Sequence, residues 1–368
     1  MMQNKLKLGV IYGGRSGEHE VSLMSARSVL SVINHEKFDV IEIGINRQGM
    51  WFVGDNLWAK LKNEDFDALQ PAYILPIPGN PGIYTKNEGE LVLFSALDIV
   101  FPIMHGTYSE DGTLQGLLEL VDIAYVGAGV LGSAVCMDKG LFKDIMAAHH
   151  FPILPYQVFN QNQIESNLEA CLNIAESISD YPLFTKPANL GSSVGISKCS
   201  NRSDLIEGLL EAARYDRRIL VEEGIQNARE IEVSVLGNEN PSASVPGEIV
   251  PKDIFYTYAE KYINDTAELL IPADLPLELS SQIQELAINA YQATDCAGMA
   301  RVDFLIDLDM RDLYINEINT IPGFTKISMY PKLWEASGIA YPTLIEKLID
   351  LALERKSQRD KIEREFRR

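Results

Sequence analysis

Apolar residues recur in two different periods, and the periods alternate along the chain. Lys7–Tyr12 is a short apolar run ending at Gly13-Gly14, and from Val21 to Ile33 the apolar positions take helical spacing. Phe38–Ile45 is a second strand-like run, and Asp98–Met104 is a third with the continuous apolarity of a buried strand. This rhythm predicts a parallel sheet with helices on its faces, over residues 1–128. Within that unit Gly49 to Glu90 is rich in Pro, Gly and Asn and reads as decorating hairpins and loops. A second unit, 129–225, opens near Gly129. It predicts a helix over Asp138 to His150, broken by Phe151-Pro152 and Leu154-Pro155, and another around Asp204–Tyr215. Its expected strands are Pro182–Lys186, Val194–Lys198 and Arg218–Glu222. The third unit, 226–368, alternates more cleanly at Glu230–Leu236, Arg301–Ile306 and Leu313–Asn319, and Thr343–Glu354 puts Ile345, Leu348, Ile349 and Ala352 on one helix face. The fold class read from this pattern is α/β, with a Rossmann-like parallel domain followed by mixed α+β units.

Composition narrows the function classes. The 368 residues are 46% hydrophobic and 23% charged, with a net charge of −20, which argues against a general nucleic-acid or anionic-membrane binder. No apolar run reaches the roughly 18 residues of a membrane helix, and the N-terminal apolar run is too short for a signal core. Cys136, Cys171, Cys199 and Cys296 are widely spaced, without CxxC. A cytoplasmic protein is expected. The tail from Arg355 to Arg368 holds seven Lys/Arg against three Asp/Glu; it could seek an acidic partner, but a solvated or frayed helix end is the expectation.

Several stretches carry candidate chemistry. Gly13-Gly14-Arg15-Ser16-Gly17-Glu18-His19-Glu20 turns from a strand into a helix start, which can hold a ligand or simply be capped by Ser16 and Glu18; its spacing is not GxGxxG. His105-Gly106-Thr107-Tyr108-Ser109-Glu110-Asp111-Gly112 follows the buried third strand, where open α/β sheets bind ligands, although a structural His fits equally well. Lys186-Pro187-Ala188-Asn189-Leu190-Gly191-Ser192-Ser193-Val194-Gly195 is a small-residue loop able to cradle phosphate, and a Lys ending an apolar strand needs a buried partner. Arg301-Val302-Asp303 and Asn316-Glu317-Ile318-Asn319 each lie in a period-2 strand. If those strands are antiparallel neighbours, two carboxylates and an amide oxygen share one face, a hard-oxygen set for Mg²⁺ or, failing that, a polar stripe. Thr320-Ile321-Pro322-Gly323-Phe324-Thr325 turns beside them. Finally Phe255-Tyr256-Thr257-Tyr258-Ala259-Glu260-Lys261-Tyr262 has the makeup of a lid or of a loop pinned by its tyrosines.

Taken in order, these motifs resemble the D-alanine–D-alanine ligases of the ATP-grasp superfamily, over nearly the whole chain from Gly13 to Thr325. The resemblance implies an ATP-grasp fold, ATP as co-substrate, two D-alanines as substrates, and joining through an acyl phosphate. It implies Mg²⁺ (two ions, with Mn²⁺ a possible substitute) on Asp303, Glu317 and Asn319, and phosphate contacts from Lys139, Lys186, Ser193 and Lys261. It places Glu222 and Glu223 toward adenine and Glu230 toward the ribose. It gives Glu18, hydrogen-bonded to Ser192 and Tyr262, the first substrate's ammonium, puts His105 near that substrate, assigns Arg301 and the Gly323 N–H to the oxyanion, and assigns Ser328 to the second carboxylate. A homodimer through the first domain is a further expectation. Two positions depart: Ser109 stands where the family pattern has Gly, and Lys326 adds a cation near Ser328. The rivals are a ligase that joins D-alanine to D-lactate or D-serine, against which the intact Glu260-Lys261-Tyr262 argues for the lactate case, and a catalytically silent ATP-binding scaffold.

Overall fold

The computed structural model describes residues 5–192, 194–250, 268–308 and 312–363. The expected lid, residues 255–262 with Lys261 and Tyr262, and the expected phosphate contact Ser193 lie outside the described residues.

The first apolar run becomes β1 (Leu6–Gly13), flanked in parallel by β2 (Phe38–Ile45) and, on the other side, by the strand Ile99–Ile103. Parallel pairing demands a long return, and α1 (His19–Leu30) supplies it, burying Val21, Leu23, Ala26 and Val29 against the sheet. The Gly49–Glu90 stretch does more than decorate. It forms β3 (Trp51–Val53), the helix α2 (Leu57–Lys62), β4 (Gln70–Ile74), β5 (Gly82–Asn87) and β6 (Glu90–Ala96), an antiparallel series continuing the same sheet. With β7 (Ile99–Ile103), α3 (Thr113–Val121) and β8 (Ala124–Tyr125), the described sheet runs β6-β5-β4-β3-β2-β1-β7-β8. The turn-forming residues that argue for loops are the hairpin corners of short strands.

Two helices follow, α4 (Val130–Met137) and α5 (Lys139–Ala148), and then β9 (Tyr156–Asn160), α6 (Gln161–Ser166), α7 (Leu168–Glu176), β10 (Leu183–Pro187), β11 (Ser197–Cys199), α8 (Arg202–Ala212) and β12 (Arg218–Glu223). The second sheet has the order β11-β10-β12-β9, and α7 and α8 cover it through Leu172, Ala175, Leu205 and Leu209. The strand expected from Val194 begins only at Ser197. Gly195 takes φ +71° with Pro187 and Tyr215 closely packed against it, so a turn prolongs the small-residue loop.

The third sheet, β16-β15-β13-β17-β18 with β14 beside β13, comprises β13 (Ala228–Gly237), β14 (Ser242–Ala243), β15 (Gly247–Val250), β16 (Glu268–Leu270), β17 (Gly298–Asp307) and β18 (Leu313–Asn319). Its core takes in Cys136, Phe142 and Met146 of α4 and α5 together with Ile283, Ala287 and Tyr291 of the helix Leu277–Ala293. The loop residues Ile321 and Phe324, with Met299, Tyr330 and Trp334, join the core of the first sheet.

The C-terminal helix runs Tyr341–Arg359 and inserts Leu344, Ile345, Leu348 and Ile349 into that shared core. The basic tail is therefore not a frayed end, at least through Arg359. The Arg355 guanidinium donates to the carbonyls of Gly127 (2.5 Å) and Tyr125 (3.3 Å) and lies over the Tyr125 ring. Lys356 meets Asp122 at 3.4 Å, and Arg359 meets Glu119 and Asp122. The acidic partner is the first domain of the same chain.

Candidate active site

A cavity of about 820 Å³ opens between the second and third sheets and reaches the α1 end of the first. β17 and β18 build one wall. They are antiparallel neighbours, with Asp303 opposite Glu317 and Arg301 opposite Asn319, so the period-2 reading of the four residues holds in register. Arg301 donates from Nε and Nη2 to the two Asp303 oxygens at 2.7 and 2.6 Å and also meets Glu232 at 3.0 Å. Asn319 Nδ2 donates to Asp303 Oδ2 at 2.9 Å. Two carboxylates and an amide are hard oxygen donors on a rigid sheet, a set that suits a magnesium-sized cation once Arg301 turns away from Asp303.

The opposite wall supplies the cations. Asp138 caps α5 by accepting from the N–H groups of Gly140 (3.0 Å) and Leu141 (2.9 Å), which places Lys139 in the first turn. Lys139 Nζ donates to the Leu190 carbonyl at 2.7 Å and stands 3.8 Å from Glu317. Lys186, at the end of β10, finds the partner its burial demands in Glu222, which lies on the neighbouring strand β12. Glu222 also faces Lys143, with Nζ 2.8 Å from Oε2 but out of line for a directional hydrogen bond. Burial opposes the Glu222 charge, yet the two lysines overcome it and hold its pKa down at about 2. Burial likewise opposes the charge of Lys186, but Glu222 outweighs it and raises the pKa. Glu223 and Glu230 line the cavity beside them.

The third corner comes from the first domain. Glu18 accepts a short hydrogen bond from the Ser192 hydroxyl. Its carboxylate fits there because Gly106 and Gly191 have no Cβ, which would stand 2.6 and 2.9 Å from Glu18 Oε2. Ser192 itself holds φ +54°, a left-handed strain kept at the contact. Of the two residues that could cap this turn, Glu18 occupies the N-cap position of α1 without a side-chain cap, whereas the Ser16 hydroxyl accepts from the Glu18 N–H at 3.2 Å and donates to the His105 carbonyl at 2.7 Å. His105 is buried; its Nδ1 donates to the Ile321 carbonyl at 2.9 Å, and its Nε2 lies 3.2 Å from the Ser25 hydroxyl. Burial lowers its pKa against the pull of Glu18, favouring the neutral ring. Gly323 borders the cavity, whereas Ser328 does not reach that lining: its hydroxyl accepts from the Thr325 N–H at 3.0 Å. Ser109, standing where the family pattern has Gly, is not at positive φ; its neighbour Tyr108 is, at φ +64°, and Lys326 is exposed and off this cavity's wall.

Comparison with known proteins identifies the family. One family model, the D-ala D-ala ligase N-terminus, matches residues 7–128, and a second, the D-ala D-ala ligase C-terminus, matches 145–350. The chain belongs to the D-alanine–D-alanine ligase family. The D-alanine–D-alanine ligase of Natranaerobius thermophilus is 46% identical over 98% of this chain and 99% of that protein. That of a Thermoanaerobacter species is 50% identical over 95% and 97%. Among solved structures, the D-alanine-D-alanine ligase from Coxiella burnetii superposes with TM-score 0.82 at 36% identity, covering 98% of this chain and 97% of that one. VanG D-Ala:D-Ser ligase from Enterococcus faecalis gives 0.84 at 35%, covering 95% and 100%. The fold is accordingly of the ATP-grasp class.

In this ligase-family chain, three residues of the site escape a reading of the sequence. Glu110 is partly buried at the cavity wall and accepts from the N–H groups of Gly106 (2.6 Å) and Ile321 (3.2 Å), joining the His105 turn to the Gly323 loop. Burial, and then the nearby Glu18 charge, push its pKa up to about 8. Lys143 and Glu232 are the others. Lys143 follows Lys139 by one helical turn, the only sequence signal for it; Glu110 and Glu232 are identified only by what they face.

Proposed function

We propose that this chain joins two molecules of D-alanine with ATP, making the D-alanyl-D-alanine used in peptidoglycan. The observation that carries the reading is the antiparallel pairing of β17 with β18, which gathers Arg301, Asp303, Glu317 and Asn319 opposite Lys139 and Lys186. In the proposed reaction the carboxylate of the first D-alanine attacks the γ-phosphorus, and ADP departs. The amine of the second then attacks the acyl phosphate, expelling phosphate and losing a proton.

Each residue has a role in this scheme. Lys139 and Lys186 hold the phosphates, joined by Lys261 and Ser193. Glu230 meets the ribose. Because the Glu222 carboxylate is committed to two lysines, the adenine-side role passes to Glu223, its neighbour on the other face of β12. Glu18, held by Ser192 and with Tyr262 in the same set, orients the first substrate's ammonium beside His105. Arg301 and the Gly323 N–H receive the oxyanion, each donor lowering the barrier by about 3 kcal/mol. Ser328 binds the second carboxylate after its hydrogen bond to Thr325 is released. Asp303, Glu317 and Asn319 would hold two Mg²⁺ or Mn²⁺ ions, which when bound neutralise charge on the triphosphate. A cytoplasmic homodimer assembled through the first domain completes the reading.

The test is phosphate release from MgATP with D-alanine, L-alanine, D-serine or D-lactate. Release confined to D-alanine, with the dipeptide as product, is expected. ATP binding without D-alanine-dependent release would leave only a scaffold. The likeness to VanG favours D-serine as the second reading, and preferential use of D-serine as acceptor would establish it in place of the first.

A further inference from the structure

Glu222, Lys143 and Lys186 form an ion triad in which one carboxylate faces two ammonium groups. The members are not equivalent in position. Lys186 and Glu222 line the cavity, whereas Lys143 lies behind Glu222 in the α5 core, only 2% exposed, with its Nζ 5.5 Å from the centre of the Tyr156 ring. A lysine so buried is costly unless its charge is matched. The match comes from Glu222, since among the described residues Lys143 Nζ makes no directional hydrogen bond and its ion pair is with Glu222 Oε2 at 2.8 Å.

Charge counting then gives the triad a purpose. A Lys186–Glu222 pair alone would be neutral toward the cavity, and Glu230 and Glu317 add further negative charge around Lys186. With Lys143 present, the triad carries one net positive charge, and the surplus faces the cavity at Lys186. We propose that Lys143 is a positioning residue for nucleotide: by satisfying Glu222 from behind, it leaves the Lys186 ammonium electrically free to hold ATP phosphates. The inference rests on the reading of Lys186 as a phosphate ligand. It acts on phosphate rather than on the nucleoside, because only the phosphates are charged.

The experiment compares wild type with Lys143→Met, which keeps an unbranched side chain, with Lys143→Arg, and with Lys143→Met/Glu222→Gln. The readouts are KM for MgATP, kcat, and dissociation constants of ATP and adenosine. Lys143→Met should raise the ATP constants about tenfold, corresponding to about 1.4 kcal/mol, leave adenosine binding within about twofold and change kcat far less than KM. Lys143→Arg should recover most of the loss. The double variant restores the single net positive charge and an acceptor for Lys186, so its ATP affinity should return to within about threefold of wild type. A double variant as weak as Lys143→Met, or equal weakening of ATP and adenosine, would overturn the proposal in favour of a packing role. Lys186→Met serves as the separate arm: unchanged ATP affinity there would overturn the phosphate reading of Lys186 itself. If Lys143→Met fails to fold, the charge-balanced double variant still decides, because ATP affinity well below that of wild type contradicts charge compensation.

Discussion

Arg355 offers the sharpest stability prediction, because it ties the end of the chain to the first domain. Its guanidinium donates to the Gly127 carbonyl at 2.5 Å and lies 4.3 Å from the centre of the Tyr125 ring, and the 3.3 Å bond to the Tyr125 carbonyl is long enough to discount. A hydrogen bond from a charged donor contributes about 1.5–3 kcal/mol, and a partly desolvated cation–π contact about 1 kcal/mol. Arg355→Met keeps much of the aliphatic packing and removes both, so a loss of about 2–4 kcal/mol is expected. Urea unfolding followed by tryptophan emission reports it, since Trp334 sits in the core shared by the first sheet and the C-terminal helix. The midpoint should fall with little change in slope. High salt should not reproduce the effect, because the acceptors are neutral carbonyls. Lys356→Met, whose partners Asp122 and Asp360 are charged and partly solvated, should lose no more than about 1 kcal/mol and should lose less still in about 1 M salt. A loss below about 0.5 kcal/mol for Arg355→Met would refute this account of the tail, because that is the scatter of ordinary surface substitutions.

Other outcomes are expected at the site. Glu317→Gln should reduce D-alanine-dependent phosphate release by at least about 100-fold at ordinary Mg²⁺ with an unchanged circular-dichroism spectrum; near-normal turnover would remove Glu317 from the metal set. Ser192→Ala deletes the hydroxyl on Glu18 and relaxes nothing else, so KM for the first D-alanine should rise severalfold while adenosine binding is unaltered. Glu110 has a folded pKa raised to about 8, so the native state binds its proton more tightly than the unfolded chain does. Stability should therefore fall as pH rises from the ordinary carboxyl range toward about 8, and Glu110→Gln, which fixes the neutral form, should flatten that slope. An identical pH profile for the variant would assign the dependence to other groups.

Much of the molecule is written locally. Alternation along Arg301–Ile306 and Leu313–Asn319 sets which side chains share a face, because in a strand the face follows from parity alone. The same holds for the buried run of β7, for α1 and for the helix face carrying Leu348 and Ile349, where period and burial are one property. A lysine closing the apolar strand β10 announced a buried anion without saying which. Only tertiary structure could name Glu222, pair β17 with β18 and bring Glu18 of the first domain to Ser192, 174 positions away. It also turned the Gly49–Glu90 stretch into sheet and the basic tail into an interdomain clasp, since strand partners and acidic acceptors lie on other elements. Glu110 shows the physical reason most directly. A carboxyl group takes its protonation state from the dielectric and the charges around it, and those neighbours are chosen by the fold, whereas period and propensity act within a few residues of the chain.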